Sequence, residues 1–278
     1  MEKYEDYVII NHGHIPESKP DDISQRMDDM IPTLRRQKIV DLLQGSEVLF
    51  LTDLVAAMGI SESTVRRDLK ELAHSGEIEL LRGGGVRLHR ENVEMNIDAK
   101  LLLNKEEKDR IARYAAGLIY PGDIIFLDPS SVNYLLIDYI TAERVTVVTN
   151  SVAHMNKLIK ADINCIMIGG QIKKNTSSCV GAMAERMLGQ LRFSKSFLGA
   201  NGMSVEMGMT NHDPNEQSIK RLALEHSVST YFLIDSSKYG VVAMCKVADI
   251  GECMIITDRH IKELDALDNV IYAQDELK

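Results

Sequence analysis

The sequence predicts an α/β protein in two parts, an N-terminal winged helix-turn-helix and a larger Rossmann-like domain with a mostly parallel sheet. Two observations predict the first part. Apolar side chains recur at helical spacing after a corner at Gly59, and Gly83-Gly84-Gly85 separates two short alternating runs. One predicts the second: beyond Asn104, short apolar runs alternate with helical patterns, as in parallel strands covered on both faces.

Residues 1–30 read as a loosely attached extension, because Pro16, Pro20, the acidic side chains and the lack of periodicity give no packed face. Met27 and Met30 are alternative starts. From Leu34, the residues Ile39, Leu42 and Leu43 mark a supporting helix that Gly45 ends. Leu51–Met58 follows as a short helix that Thr52 can cap, with Leu54, Val55 and Met58 turned inward. Gly59 permits the left-handed conformation needed to leave one helix and enter the next at a steep angle.

Ser61 is a suitable cap for that next helix, and Val65, Leu69 and Leu72 form its apolar face. At roughly 100° per residue, Ser63, Arg67, Lys70 and His74 point the opposite way, with Thr64 and Arg66 on the flanks. Arginine forks suit guanine edges, while hydroxyls and N-terminal amides suit phosphates. The same face also reads as a solvated surface with an Arg–Asp pair. The helix-turn-helix layout favours nucleic acid, since its second helix is the one that enters the major groove. Downstream, Glu77–Arg82 and Val86–Arg90 form a small hairpin whose Arg82 and Arg87 can lie along phosphates.

Residues 34–90 resemble the winged helix-turn-helix of the DeoR family of bacterial transcription regulators. The resemblance rests on Leu34-Arg35-Arg36-Gln37-Lys38-Ile39, on Ser61–Leu69 with its Thr-Val-Arg-Arg-Asp-Leu string, and on the glycines after Leu80-Leu81-Arg82.

Charge is partitioned. The net −9 divides into −5 over residues 1–30, zero over 31–92 and −4 over the remainder. The DNA-reading part is thus the least acidic but not basic overall, so contacts per monomer are few and a homodimer or homotetramer is expected. No apolar run approaches a membrane span and no signal peptide opens the chain. Cys165, Cys179, Cys245 and Cys253 form no CxxC pair and read as buried reduced thiols of a cytoplasmic protein. The histidines show no metal spacing, and no metal or cofactor is expected.

Residues 91–104 read as a linker, with the boundary near Val93. Domains are therefore expected at 31–92 and 93–278. Asn104 is expected to cap a helix carrying Ile111, Ala115, Leu118 and Ile119, with Glu107 completing a capping box. Strands follow at Ile124–Leu127, Val145–Val148, Cys165–Ile168, Ser196–Leu198, Tyr231–Ile234 and Met254–Ile256, with helices near 131–140, 151–161, 180–191 and 215–227.

The residues just past each strand matter most, because ligands of open α/β sheets bind at the carboxyl ends of strands. Those positions hold Asp128, Ser130 and Ser131; Thr149, Asn150 and Ser151; Gly169 and Gly170; Asn201 and Gly202; and Lys238. Helix starts near Ser131 and Ser151 would aim N–H groups at an anion, and Lys238 supplies a point charge. The pattern reads as a pocket for a small phosphorylated polyol, although the same residue types also serve as ordinary caps and turns.

Residues 105–258 resemble the effector domain of the same family, related in fold to ribose-5-phosphate isomerase and the CoA transferases. The matching strings are Glu107-Lys108 with Ile111-Ala112, Phe126-Leu127-Asp128, Val145–Ser151, Ile168-Gly169-Gly170 and Asp235-Ser236-Ser237-Lys238. Gly181, Glu216 and Lys220 fit more loosely. The resemblance implies a repressor, occasionally an activator, of a sugar-catabolic operon, binding double-stranded operator DNA under control of a phosphorylated sugar.

One departure bears on the site. Where the family usually has Gly-[Ser/Thr]-Thr after the first strand's aspartate, this chain has Ser130-Ser131-Val132 behind Pro129. An isomerase-like enzyme is the alternative, with Asp128, Glu216 and Lys238 as base and clamp. An attached DNA-reading domain argues instead that occupancy of the pocket is the output, with no catalytic residues.

Overall fold

A computed structural model describes residues 32–74, 77–88 and 97–273. The extension at 1–30 therefore lies outside the described residues, as do His89 and Arg90 of the expected hairpin. The chain divides into two compact units. One comprises the described residues up to Leu80 with Val86–Leu88; the other comprises Leu81–Gly85 and all described residues beyond Leu88.

The smaller unit contains helix α1 (Pro32–Gln44), strand β1 (Leu49–Phe50), helices α2 (Leu51–Met58) and α3 (Glu62–His74), and strands β2 (Ile78–Leu80) and β3 (Gly85–Leu88). The strands form a sheet in the order β1-β3-β2, with β2 and β3 antiparallel and Glu79 opposite Arg87. Ile39 and Leu43 of α1, Leu54 and Met58 of α2, and Val65, Leu69 and Leu72 of α3 share one core. Gly59 ends α2 at φ 63°, the left-handed corner that a side chain would strain.

Two expectations are corrected here. Thr52 does not cap α2: the cap position is Phe50, whose N–H donates to the Asp53 carboxylate at 2.9 Å, leaving Thr52 exposed in the first turn. Leu34 does not join the core; it is 52% exposed, and Arg35 turns inward beside Ile39 and Leu43. Arg35 can do so because Asp68 of α3 meets it with two hydrogen bonds, 2.5 and 3.0 Å, both partners being buried. A charge this deep is tolerated only when paired.

The larger unit begins with helices α4 (Ile97–Leu102) and α5 (Lys105–Ala116). Strand β4 (Ile124–Leu127), helix α6 (Ser131–Leu136), strand β5 (Thr146–Thr149), helix α7 (Val152–Lys160) and strand β6 (Asn164–Met167) follow. The chain continues through β7 (Gln171–Lys173), β8 (Ser178–Val180), α8 (Ala182–Leu188), β9 (Phe193–Leu198), β10 (Gly202–Ser204), β11 (Gly208–Asn211) and α9 (Pro214–Glu225). It closes with β12 (Ser227–Leu233), β13 (Cys245–Ala248), β14 (Met254–Thr257) and β15 (Val270–Tyr272).

Seven of these strands make one sheet in the order β15-β14-β12-β9-β4-β5-β6, each neighbour parallel. Successive side chains of a strand face opposite sides. In β4, Ile125 and Leu127 therefore enter one core with Val147 and Phe197, while Phe126 enters the other with Val148 and Phe232. Helix α4 lies within the stretch expected to be linker, whose residues 91–96, with the boundary expected near Val93, lie outside the described residues. The antiparallel sheet β10-β11-β13 and the hairpin β7-β8 are further departures from the expected elements.

Candidate functional site

Helix α3 keeps its expected apolar face inward and its cationic and hydroxyl side chains at the surface. The Ser61 hydroxyl accepts from the Thr64 N–H at 3.3 Å and lies within hydrogen-bond reach of the Thr64 and Ser63 hydroxyls, at 2.8 and 3.0 Å. Ser63, Arg66, Arg67 and Lys70 are exposed and Thr64 half-buried, while Val65, Asp68, Leu69 and Leu72 are buried. The two adjacent arginines thus face away from the core. Arg66 pairs with Glu62 one turn back at 2.7 Å, a surface contact of small energy that a phosphate or base can displace. In the hairpin, Arg87 pairs with Glu79 across the strands at 2.6 Å. Arg82 groups with the larger unit, where its Nη1 donates to the Ser236 carbonyl at 3.4 Å.

In the larger unit, β4, β5 and β6 build the sheet outward in one direction, and β9, β12, β14 and β15 build it in the other. The chain reverses between β4 and β9. In open α/β sheets the carboxyl ends of the strands at such a reversal are the usual ligand position. Asp128 stands at the end of β4, fully buried. Its carboxylate accepts from the Gly199 N–H (2.8 Å), the Ser130 N–H (3.1 Å) and Asn133 Nδ2 (2.8 Å), and pairs with the Lys220 ammonium. Lys220 also donates to the Gly199 carbonyl at 2.9 Å. Gly199 has no alternative here, since a Cβ would lie 2.6 Å from that of Ser130. Asp128 is therefore the post that ties β4 to β9.

Other anticipated residues are likewise consumed by the frame. The Thr149 hydroxyl donates to the Leu127 carbonyl at 2.7 Å, Asn150 Nδ2 donates to the Cys179 carbonyl at 2.9 Å, and both are buried with Ser131 and Ser151. The Ser130 hydroxyl caps α6 by accepting from the Asn133 N–H at 3.3 Å. Gly202 is buried within the β10–β11 pairing, and Asn201 Oδ1 accepts from the His212 N–H at 3.2 Å. Gly169 is exposed, and Ser130, Gly170, Asn201 and Lys238 are half-buried, so the surface a ligand can reach is theirs.

Sequence reasoning missed several partners. Asn133 and His154 carry no motif; Glu216 and Lys220, one turn apart, are named by the sequence but without the partners they take. Glu216 is buried and gathers Thr176 (2.6 Å), Ser178 (3.2 Å), Lys173 (3.2 Å) and Asn211 (3.1 Å). His154 is buried beside Thr149, 3.1 Å from its hydroxyl, and burial pushes its imidazole down to about 4.

Asn104 is the clearest correction. It does not cap α5; it adopts the left-handed conformation at φ 49° with no cap hydrogen bond. Its Nδ2 instead donates to Asp235 Oδ1 (3.0 Å) and Ser237 Oγ (3.1 Å). Beside it, Lys108 is buried and donates to the Leu103 carbonyl at 2.6 Å and to that of Lys100. Burial pushes the Lys108 ammonium down to about 8, against the pull of the Asp235 carboxylate.

Among the described residues, no cluster of three His, Cys, Asp or Glu side chains could hold a metal ion, and no helix is long and apolar enough to cross a membrane.

Comparison with known proteins bears on both units. Residues 35–91 match the DeoR-like helix-turn-helix domain, and residues 103–259 match the DeoR C-terminal sensor domain. An uncharacterized HTH-type transcriptional regulator, FruR of Bacillus subtilis (strain 168), is 35% identical over 229 residues, 82% of this chain and 91% of that protein. The lactose phosphotransferase system repressor of Staphylococcus epidermidis is 33% identical over 237 residues, 81% of this chain and 92% of its own. Among solved structures, ribose 5-phosphate isomerase A from Methanocaldococcus jannaschii aligns with TM-score 0.37 and 15% identity over 49% of this chain and 55% of that one, too little to bear on function. With a DNA-reading domain and a sensor domain both matched, and relatives matched over most of their length, this chain belongs to the DeoR family of transcriptional regulators, DNA-binding proteins rather than enzymes.

Proposed function

We propose that this regulator represses a sugar-catabolic operon, acting in the cytoplasm as a homodimer or homotetramer that a phosphorylated sugar releases from its operator. The observation that carries the DNA half is the exposed face of α3, where Arg66, Arg67 and Lys70 stand outward on a helix whose other side is core. Ser61, Ser63 and Thr64 would take phosphates at its N-terminus, and Arg67 a guanine edge. Because residues 31–92 carry no net charge, attraction is local to this face and to Arg87, and paired half-sites supply the rest. In this reading residues 31–92 bind DNA and 93–278 sense the metabolite. The sensing half is supported by the polar strand ends gathered at the sheet reversal and by the relative that is named a lactose phosphotransferase system repressor.

The test uses a duplex selected by the full chain from a random-sequence pool. Arg67→Ala should weaken binding to it by roughly 5- to 150-fold, about 1–3 kcal/mol, and binding to random duplex far less. Equal losses on both would refute base reading by Arg67. In parallel, a thermal-shift panel of fructose 6-phosphate, ribose 5-phosphate, glycerol 3-phosphate and inorganic phosphate should contain a compound that stabilises the protein and lowers its affinity for the duplex. Stabilisation without any change in DNA binding would refute the release mechanism.

A further inference from the structure

Helix α4 has an unusual set of attachments. At its start, the Ile97 N–H donates to the Asn175 carbonyl at 3.1 Å. Asn175 lies in the β7–β8 turn, and that hairpin is stitched to the end of β5: the Val152 N–H donates to Ser177, and the Cys179 N–H to Asn150, both at 2.8 Å. At its finish, the Lys100 and Leu103 carbonyls are held by Lys108, and the next residue, Asn104, reaches Asp235 and Ser237. Those two lie in the loop that ends β12. Between its ends, α4 packs against α6, the helix that begins directly after Asp128 and Ser130.

The sheet order places β9 and β4 between β12 and β5. A segment tied at one end to a hairpin that joins the β5 end and Glu216 of α9, and at the other to the β12 loop, is placed to pass over the carboxyl ends of β4 and β9. Lengths agree: three inter-strand spacings are about 14 Å, and the rise from residue 97 to 104 is about 10 Å if helical, with the Asn104 side chain closing the difference. Ile97 and Leu103 are buried, so the segment is packed down.

We propose that α4 with Asn104 is a strap across the mouth of the strand-end crevice. Its two tethers, at the Asn175 carbonyl and at Asp235–Ser237, would pass occupancy of the crevice into the chain that leads to the DNA-reading domain. The strap rests on the effector reading proposed for that crevice. A ligand entering between the β4 and β9 ends must lift the strap or close beneath it. Either event changes the Asn104 tether, because Lys238, the cation of the candidate site, sits one residue beyond Ser237.

Asn104→Gly isolates the tether, since glycine accepts the left-handed backbone while the amide is removed. Asn104→Asp sets a second carboxylate against Asp235 and should release the strap further. Hydrogen exchange on the full-length protein should show the Ile97–Leu103 amides exchanging about fivefold faster or more in both variants, with β4 and β9 unchanged. Affinity for the selected duplex should shift by about fivefold or more, the lower end of ordinary allosteric coupling. Exchange and affinity both within about twofold of wild type would overturn the strap. The sugar-phosphate panel separates the two readings. A compound that slows exchange at residues 128–131 and 199–202 but leaves 97–103 untouched sinks the strap and leaves the effector site standing. If no compound slows exchange at the strand ends, the effector reading falls and the sensing role of the strap falls with it.

Discussion

Replacing Lys220 with Met removes the cation of a carboxylate that has no access to water. Asp128 would keep three donors, the Gly199 and Ser130 N–H groups and Asn133 Nδ2, but none carries charge. Breaking a buried ion pair from one side costs about 3–5 kcal/mol, most of it from the uncompensated charge left behind. For a domain of this size, about 2–4 °C of melting temperature go with each kcal/mol, so the sensor-domain transition should fall by roughly 6–20 °C. Asp128→Asn with Lys220→Met should recover at least half of that loss, because the charge leaves with its partner and the amide oxygen still accepts a hydrogen bond.

Calorimetry on wild type, both single variants and the double variant gives the pair's coupling energy from the cycle. A Lys220→Met protein melting within about 2 °C of wild type would refute the buried-pair reasoning. A double variant as unstable as the sum of the singles would refute it as well. If Asp128→Asn melts normally yet loses all response to sugar phosphates, Asp128 is a ligand contact and not the post between β4 and β9.

Two further outcomes follow from the geometry. Arg35→Met should destabilise the smaller unit by about 3–5 kcal/mol by stranding the Asp68 carboxylate in its core, and Asp68→Leu on that background should restore much of it, read as the urea midpoint. His154 is held neutral, with its folded value near 4 against an ordinary 6.5. The unfolded chain thus binds the extra proton between those values, so this contribution is complete above pH 6.5 and shrinks by about 3 kcal/mol as pH falls to 4. His154→Gln should flatten that part of the stability profile, and an unchanged slope would place the acid sensitivity elsewhere.

How far the sequence discloses this molecule depends on where each residue's partner lies. Helix α3 was legible because its cap, its apolar stripe and the Gly59 corner fall within one short stretch. The parallel strands were legible as apolar runs, since a sheet covered on both faces needs them. Arg35 was not, because Asp68 lies 33 residues on. Asn104 was misread for a related reason. Asparagine suits both a helix cap and a left-handed corner, and what selects the corner, Asp235, is 131 residues away. Strands β8 and β11 are short and bury Ser178, Thr210 and Asn211, so their patterns look like loop. At the strand ends the residue types were legible, but not which of them the frame would consume. Thr149 and Asn150 look like ligand contacts until their hydrogen bonds to Leu127 and Cys179 are seen.

That division bears on which residue meets a phosphate. A bound phosphate monoester brings a charge of about −1.5 to −2 and needs a cation. Lys220 is committed to Asp128, and Lys173 lies 3.2 Å from both Asp213 and Glu216; using either would break a pair already inside the protein. Lys238 is half-exposed in the loop after β12, so a ligand can reach it from solvent in exchange for the contact it now makes. The family's glycine after the first strand is Ser130 here, whose N–H and hydroxyl are already engaged with Asp128 and Asn133, so backbone donors at that loop offer little compensation. The anion's affinity should therefore depend heavily on Lys238. Lys238→Met should leave the unliganded melting temperature within about 2 °C of wild type, as expected of a partly exposed site. It should also abolish both the thermal shift and the DNA release produced by a sugar phosphate, and Lys238→Arg, which keeps the charge, should retain part of each. A Lys238→Met protein that responds to sugar phosphate as wild type does would move the anion site away from β12.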